Sequence, residues 1–151
     1  MVTIREGNLL TSDCEVICHQ TNCQGAMGSG IARAIRAAYP EAYQALRDRF
    51  CRGEAAVGEV DFVRTMRDGV PRCVVNCYGE YDYLPRGVVH TDYDGLRRCF
   101  KKSSMNSMAK KLPSDSRIEL AAVSLEAIGR LFLKSSKKSS QATNGGSNYG
   151  V

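Results

Sequence analysis

Three consecutive stretches decide the fold: Glu15-Val16-Ile17-Cys18-His19-Gln20, then Gly25-Ala26-Met27-Gly28-Ser29-Gly30, then Ile31-Ala32-Arg33-Ala34-Ile35-Arg36-Ala37-Ala38. The first is short, apolar and rich in β-branched residues, which predicts a buried strand. The third places Ile31 with Ile35 and Ala34 with Ala38 four apart, the spacing of a helix that faces a core. Between them the glycines predict a tight turn. A strand, a glycine turn and a helix start form an anion site, because the unpaired N–H groups of the first helical turn point outward and the helix dipole favours negative charge. Glycines let a phosphate approach the backbone with no Cβ in the way. The same glycines also read as a turn whose geometry is their only purpose. The spacing reverses the dinucleotide fingerprint Gly-x-Gly-x-x-Gly, and the Gly-Lys-Ser/Thr of nucleotide triphosphatases is absent, so neither standard label applies.

Around this stretch the chain has 151 residues, enough for one domain with a real core. Charged residues make up 25% and apolar residues 43%, the balance of an ordinary globular protein. No apolar run is long enough to predict a membrane span, and Met1-Val2-Thr3-Ile4-Arg5-Glu6 lacks the apolar segment of a signal peptide. Seven cysteines without a Cys-x-x-Cys pair, several inside predicted strands, are expected to be reduced thiols in a cytoplasmic protein. His19 and His90 lack metal-ligand spacing with the cysteines, so no metal and no cofactor is expected. The net charge of +5 favours acidic ligands in a general way. Without a nucleic-acid motif, a solvated basic face is the default.

Taken in order, Thr3 to Glu6 predicts a first strand and Gly7-Asn8-Leu9-Leu10 a turn. The helix after the glycine loop ends near Tyr39, and Pro40 opens a second that runs to about Phe50. Val60 to Arg64 and Arg72 to Cys77 flank Arg67-Asp68-Gly69, a hairpin signal. Thr91 or Asp92 caps a long helix with Tyr93, Leu96 and Phe100 on its apolar face, and a strand follows near Ile118. Alternating strands and helices predict a layered α/β domain with mostly parallel pairing and one hairpin.

Gly7-Asn8-Leu9, the run His19-Gln20-Thr21-Asn22-Cys23-Gln24-Gly25-Ala26-Met27-Gly28-Ser29-Gly30-Ile31-Ala32, Tyr39-Pro40-Glu41-Ala42-Tyr43 and Thr91-Asp92-Tyr93-Asp94-Gly95-Leu96-Arg97 together resemble the macro domain, in its bacterial and phage-type members. The resemblance covers about residues 2 to 117. It implies a three-layer α/β/α fold with a mixed central sheet, and binding of ADP-ribose at the C-terminal edge of that sheet. It also implies, for some members, hydrolysis of ADP-ribose linkages on proteins, nucleic acids or small metabolites. Nucleic acid then enters only as an ADP-ribosylated substrate, and the chain is expected to act as a monomer.

Carried over by position, the resemblance places Asn8 and Leu9 at the adenine, and Asn22 near the terminal ribose, where it is the candidate catalytic residue. It places Gly25, Met27, Gly28, Ser29, Gly30, Ile31 and Ala32 in the loop and helix start that hold phosphate. Asn8 stands where many members have an Asp, and its carbonyl can accept the same hydrogen bond without charge. One hydrolase branch uses a Lys at the strand end, whereas this chain reads Asn76-Cys77-Tyr78-Gly79-Glu80. His19 is expected to be a satisfied core histidine rather than a general base. Tyr78, Tyr81 and Tyr83 read either as aromatics covering the ligand or as ordinary loop packing. The function implied is ADP-ribose binding with ADP-ribosyl hydrolase activity. The alternatives are a non-catalytic reader or degenerate domain, and a phosphatase acting on ADP-ribose 1″-phosphate.

The resemblance stops after Arg117-Ile118, where the second glycine loop of a complete macro domain does not appear. Leu120, Ile128, Leu131 and Phe132 predict a short amphipathic helix, which puts the domain at residues 1–133 and a disordered polar tail at 134–151. Read one base out of frame with synonymous codons chosen freely, Leu125 through Tyr149 permits a Gly-Gly-Asp-Trp loop edge, a closing helix and a last strand. The hypothesis is a frameshifted C-terminus that alters or removes the last helix and strand. Codons that forbid that reading would end it.

Overall fold

The structure is a computed structural model that describes residues 7–85, 88–105 and 118–121. After a short 3-10 turn at Leu9–Thr11 come β1 (Val16–Asn22), α1 (Gly30–Ala38), α2 (Pro40–Cys51), β2 (Val60–Arg67), β3 (Val70–Glu80), α3 (Tyr93–Met105) and β4 (Ile118–Ala121). The sheet order is β2-β3-β1-β4. β1 runs parallel to both β3 and β4, and β2 pairs antiparallel with β3. This is the expected mixed sheet with one hairpin. The hairpin turns at Asp68 and Gly69, both at positive φ (52° and 76°), as a two-residue turn that matches strand twist requires.

Side chains alternate across the sheet and make its two faces different cores. Val16 and Cys18 of β1, Cys73, Val75 and Cys77 of β3 and Val60 of β2 pack with Leu96 and Cys99 of α3. Ile17 and Val74, one residue out of phase, pack with Ile35 of α1, Ala42 of α2 and Tyr39 between the two helices. The domain is therefore α/β/α in section. Pro40 is the first residue of α2, where its missing N–H costs no hydrogen bond, and the Tyr39 N–H closes α1 on Ile35 O at 2.7 Å. All seven cysteines are free thiols and six are buried, acting as small apolar groups.

One expectation is corrected. Leu120 belongs to β4, paired with Cys18, and not to a helix. The parallel ladder with β1 satisfies backbone groups on that side of the central strand, a tertiary gain that outweighs the helical periodicity of this short segment. The expected strand at Thr3 to Glu6, the remainder of the amphipathic helix, the tail at 134–151 and the frame-shifted segment lie outside the described residues.

Candidate functional site

β1 is a central strand, and its C-terminal end delivers Asn22 to the edge of the sheet, the end at which open α/β sheets bind ligands. The buried Asn22 side chain closes the loop that follows. Its Oδ1 accepts the N–H groups of Gln24 and Ala26, both at 3.1 Å, and its Nδ2 donates to Ala26 O at 2.9 Å. Met27 is sunk beneath the loop in a cluster with Cys23, Leu46 and Tyr78, so its side chain anchors the loop from below. Gly25 has φ +69°, and a Cβ there would press on Phe50 Cβ and Cγ at 3.1 Å. The loop is thus rigid through its first half.

Its second half is open. Gly28, Ser29 and Gly30 are exposed, and a Cβ added at Gly28 or Gly30 would meet nothing within 4 Å. Ser29 stands at the N-cap of α1, yet its side chain makes no capping hydrogen bond, and the first turn holds no acidic residue. The leading N–H groups of α1 therefore face outward without a side-chain acceptor, beside the positive end of the helix dipole. An external anion fits this arrangement.

The second part of the expected site is brought alongside by packing. Leu9 and Leu10 of the 3-10 turn pack with Ile31 and Ala38 against the α1–α2 face of the sheet. Asn8 caps this turn, its Oδ1 accepting the Leu10 N–H at 3.0 Å. Asn8 and Leu9 are thereby held in the turn that packs against α1. Ala32 packs partly against the Met27 cluster. Among the expected residues, Asn22 and Met27 turn their side chains inward, while Gly28, Ser29 and Gly30 face outward.

The end of β3 completes the edge. Tyr78 does not cover a ligand: it is fully buried, its hydroxyl donates to Asp61 Oδ2 at 2.7 Å, and Arg49 Nε meets Asp61 Oδ1 at 2.7 Å. Burial, then the Asp61 carboxylate, pushes the phenol up out of the titrating range. Tyr81 and Tyr83, beyond the strand, are exposed. Glu80, the last residue of β3, is the register partner of Asn22 across a bulge, and its carbonyl accepts the Cys23 N–H at 3.1 Å. Glu80 Oε2 accepts from Gln20 Nε2 at 2.9 Å, and the same Gln20 nitrogen lies 3.0 Å from Thr91 Oγ1. Burial raises the Glu80 carboxyl above its ordinary pKa, against the opposing effects of the Gln20 hydrogen bond and the His90 charge. Sequence reasoning passed over Glu80, since its partner Gln20 is 60 residues away. A charged residue closing the buried half of a strand was the local signal.

Two other titratable groups near this edge are inert. His19 is fully buried, donates from Nε2 to Asn76 Oδ1 at 2.8 Å, and is lowered to about 4 by burial. It is a core histidine, as expected, but satisfied at Nε2 alone: its buried Nδ1 has no hydrogen-bond partner among the described residues. Cys23 is pushed up to about 11, mainly by burial, so its thiolate is scarce at neutral pH. Among the described residues no group of three or more His, Cys, Asp or Glu could hold a metal ion.

Known proteins match this architecture. The fold resembles the macrodomain of Mycobacterium tuberculosis DarG, with a TM-score of 0.69 at 20% identity over 91% of each chain. It also resembles the macrodomain of Thermus aquaticus DarG, with a TM-score of 0.63 at 21% identity over 92% of this chain and 89% of that one. A third neighbour is Thermosipho africanus DarTG in complex with ADP-ribose, with a TM-score of 0.62 at 14% identity over 84% of this chain and 34% of that one. Among curated proteins, the DNA ADP-ribosyl glycohydrolases of Mycobacterium tuberculosis and Mycobacterium bovis are each 36% identical over 76 residues. That alignment spans 50% of this chain and 22% of those relatives. The macro domain model matches residues 18–125, a stretch that contains most of β1, the glycine loop, the α1 start and the Glu80 edge, and the chain belongs to the macro domain family.

Proposed function

We propose that the chain binds ADP-ribose at the edge formed by the glycine loop and the ends of β1 and β3, and releases it from ADP-ribosylated substrates as a hydrolase. The observation that carries this reading is the uncapped N-terminus of α1 behind Gly28, Ser29 and Gly30, with open space at both glycines, which suits a diphosphate. Gly28 to Ala32 hold the phosphates through backbone N–H groups. Asn8 and Leu9 serve the adenine side; the Asn8 carbonyl keeps a second lone pair after accepting from Leu10. Gly25 and Met27 set the loop's shape, and Asn22 fixes its path beside the terminal ribose. The curated relatives' name, DNA ADP-ribosyl glycohydrolase, supports the hydrolase class. The domain occupies residues 1–133 and works as a monomer; the free, mostly buried thiols support a place in the cytoplasm.

A second reading, a reader without turnover, is favoured by the absence of a Lys from Asn76 to Glu80. Calorimetric titration with ADP-ribose, and with AMP as control, tests binding. Saturable heat with ADP-ribose and much less with AMP is expected, whereas none from a folded protein refutes the site. Gly28→Val should abolish that heat while changing the melting temperature little, because a Cβ at this position meets no atom within 4 Å and the side chain stands where a phosphate would approach. Free ADP-ribose released from a modified substrate separates the hydrolase from the reader. Inorganic phosphate released from ADP-ribose 1″-phosphate would instead identify a phosphatase.

A further inference from the structure

We infer that Glu80 is the general base of this site, activating the water that cleaves the bond between the terminal ribose and its acceptor. The inference rests on the hydrolase reading above and names the residue that performs it.

Glu80 stands at the edge from which the glycine loop departs. It is the register partner of Asn22, and its main chain is tied to the loop through Cys23 N–H. Its carboxylate is oriented: Oε2 is fixed by Gln20, whose amide is itself held by Thr91, while Oε1 has no hydrogen-bond partner among the described residues. Gly79 makes this possible. A Cβ there would stand 2.4 Å from Leu96 Cδ2 and 3.0 Å from Gln20 Cγ, so only glycine lets α3 and Gln20 close on the strand end. The Asp92 N–H donates to Gly79 O at 2.7 Å and fixes the segment that carries Thr91.

The alternatives at this edge are otherwise engaged. His19 is buried against Asn76, and Cys23 is a protonated thiol. The Tyr78 hydroxyl is committed to Asp61, and Asp92 Oδ1 accepts the Gly95 N–H at 2.7 Å to cap α3. His90 Nε2 is bonded to Pro85 O at 2.9 Å, and Asp82 is exposed with no side-chain hydrogen bond fixing it among the described residues. A half-buried, hydrogen-bonded carboxylate with one free oxygen remains.

In the reaction, Oε1 takes a proton from water as the water oxygen bonds to C1″ of the terminal ribose. The C1″–acceptor bond breaks with its electron pair leaving on the acceptor atom, which then receives the proton from the Glu80 carboxylic acid. One water is consumed, and ADP-ribose and the unmodified acceptor are formed. No oxidant, reductant or metal enters the balance. The groups acting on Glu80 are Gln20 of β1, held by Thr91, and His90 from the segment before α3, with Asp82 two residues further along the chain. Its raised pKa makes it a stronger base than an exposed carboxylate and moves the acid limb of activity upward.

The test compares the full chain with Glu80→Gln and Glu80→Asp on three substrates, carrying ADP-ribose on a carboxylate, on a hydroxyl and on a DNA base. Free ADP-ribose is the readout. Glu80→Gln keeps the shape and a partner for Gln20, so its ADP-ribose affinity should stay within about threefold of the parent while kcat falls about a hundredfold or more. The acid limb of its pH profile should disappear, which a merely structural role would not produce. Glu80→Asp should recover part of kcat with the limb restored, and it answers the question if Glu80→Gln does not fold. Turnover by Glu80→Gln within about tenfold of the parent, with an unchanged pH profile, overturns the inference alone. A parent that binds ADP-ribose but cleaves none of the three substrates overturns the hydrolase reading, and this inference with it.

Discussion

At the scale of single residues, the site depends on amides and imidazoles used as internal fasteners. Asn22 makes three hydrogen bonds to the backbone of its own loop, so removing its side chain strips the acceptor from two N–H groups. Asn22→Ala should lower stability by about 1–3 kcal/mol. It should also weaken ADP-ribose binding by about tenfold, because a loosened loop must be ordered on binding. Urea unfolding and calorimetry on the same samples check both. His19 controls the acid response. Its folded pKa of about 4 lies below the 6.5 of an exposed imidazole, so between those values the unfolded chain takes up a proton that the folded chain refuses. The stability due to neutral burial is complete above about pH 6.5, is lost as pH falls toward 4, and levels off below, by about 3 kcal/mol in all. His19→Gln should flatten this part of the stability–pH curve, measured by urea unfolding at pH 7 and pH 4.5.

At the scale of elements, the contact of α3 with β3 positions the half of the site that local sequence does not announce. Gly79 permits it, with Leu96 Cδ2 and Cγ at 2.4 and 2.7 Å from where a Cβ would sit. Gly79→Ala should force Leu96 out of its place and destabilise the protein by about 1–3 kcal/mol, the range of overpacked cores. By shifting Thr91 it should loosen Gln20 and reduce turnover more than ADP-ribose affinity, a split that kcat and calorimetric Kd would reveal. The α1–α2 hairpin behaves differently. Its periodicity, the Pro40 start and the Tyr39 stop are local, and the sequence predicts these helices almost to the residue. The hairpin of β2 and β3 is equally legible, because Asp68-Gly69 supplies the backbone its turn demands.

At the scale of the whole molecule, β1 lies between two parallel partners, and β4 covers one side of it. A chain ending at Ser116 lacks β4 and leaves the backbone groups of Val16 to His19 without those partners. It should lose about 4 kcal/mol, from roughly four backbone hydrogen bonds at about 1 kcal/mol each, and should aggregate through the opened strand edge. Size-exclusion chromatography and thermal melts would show this, and a monodisperse product of unchanged stability would refute it.

The sequence by itself determined the parts whose cause is local. Val16 to Gln20 is apolar enough to be buried as a strand, Gly28-Ser29-Gly30 marks a glycine turn before a helix start, and alternation in β1 and β3 assigns each side chain to one face of the sheet. The likeness to macro domains likewise rests on contiguous motifs. Tertiary structure alone decided the rest. It turned Tyr78 inward to Asp61, drew Leu120 into the sheet beside Cys18, and set Glu80 against Gln20 and Asn22. These outcomes depend on which strand pairs with which and in what register. Spacing along the chain does not encode contacts between residues some 60 positions apart; they follow from packing and from pairing buried polar groups.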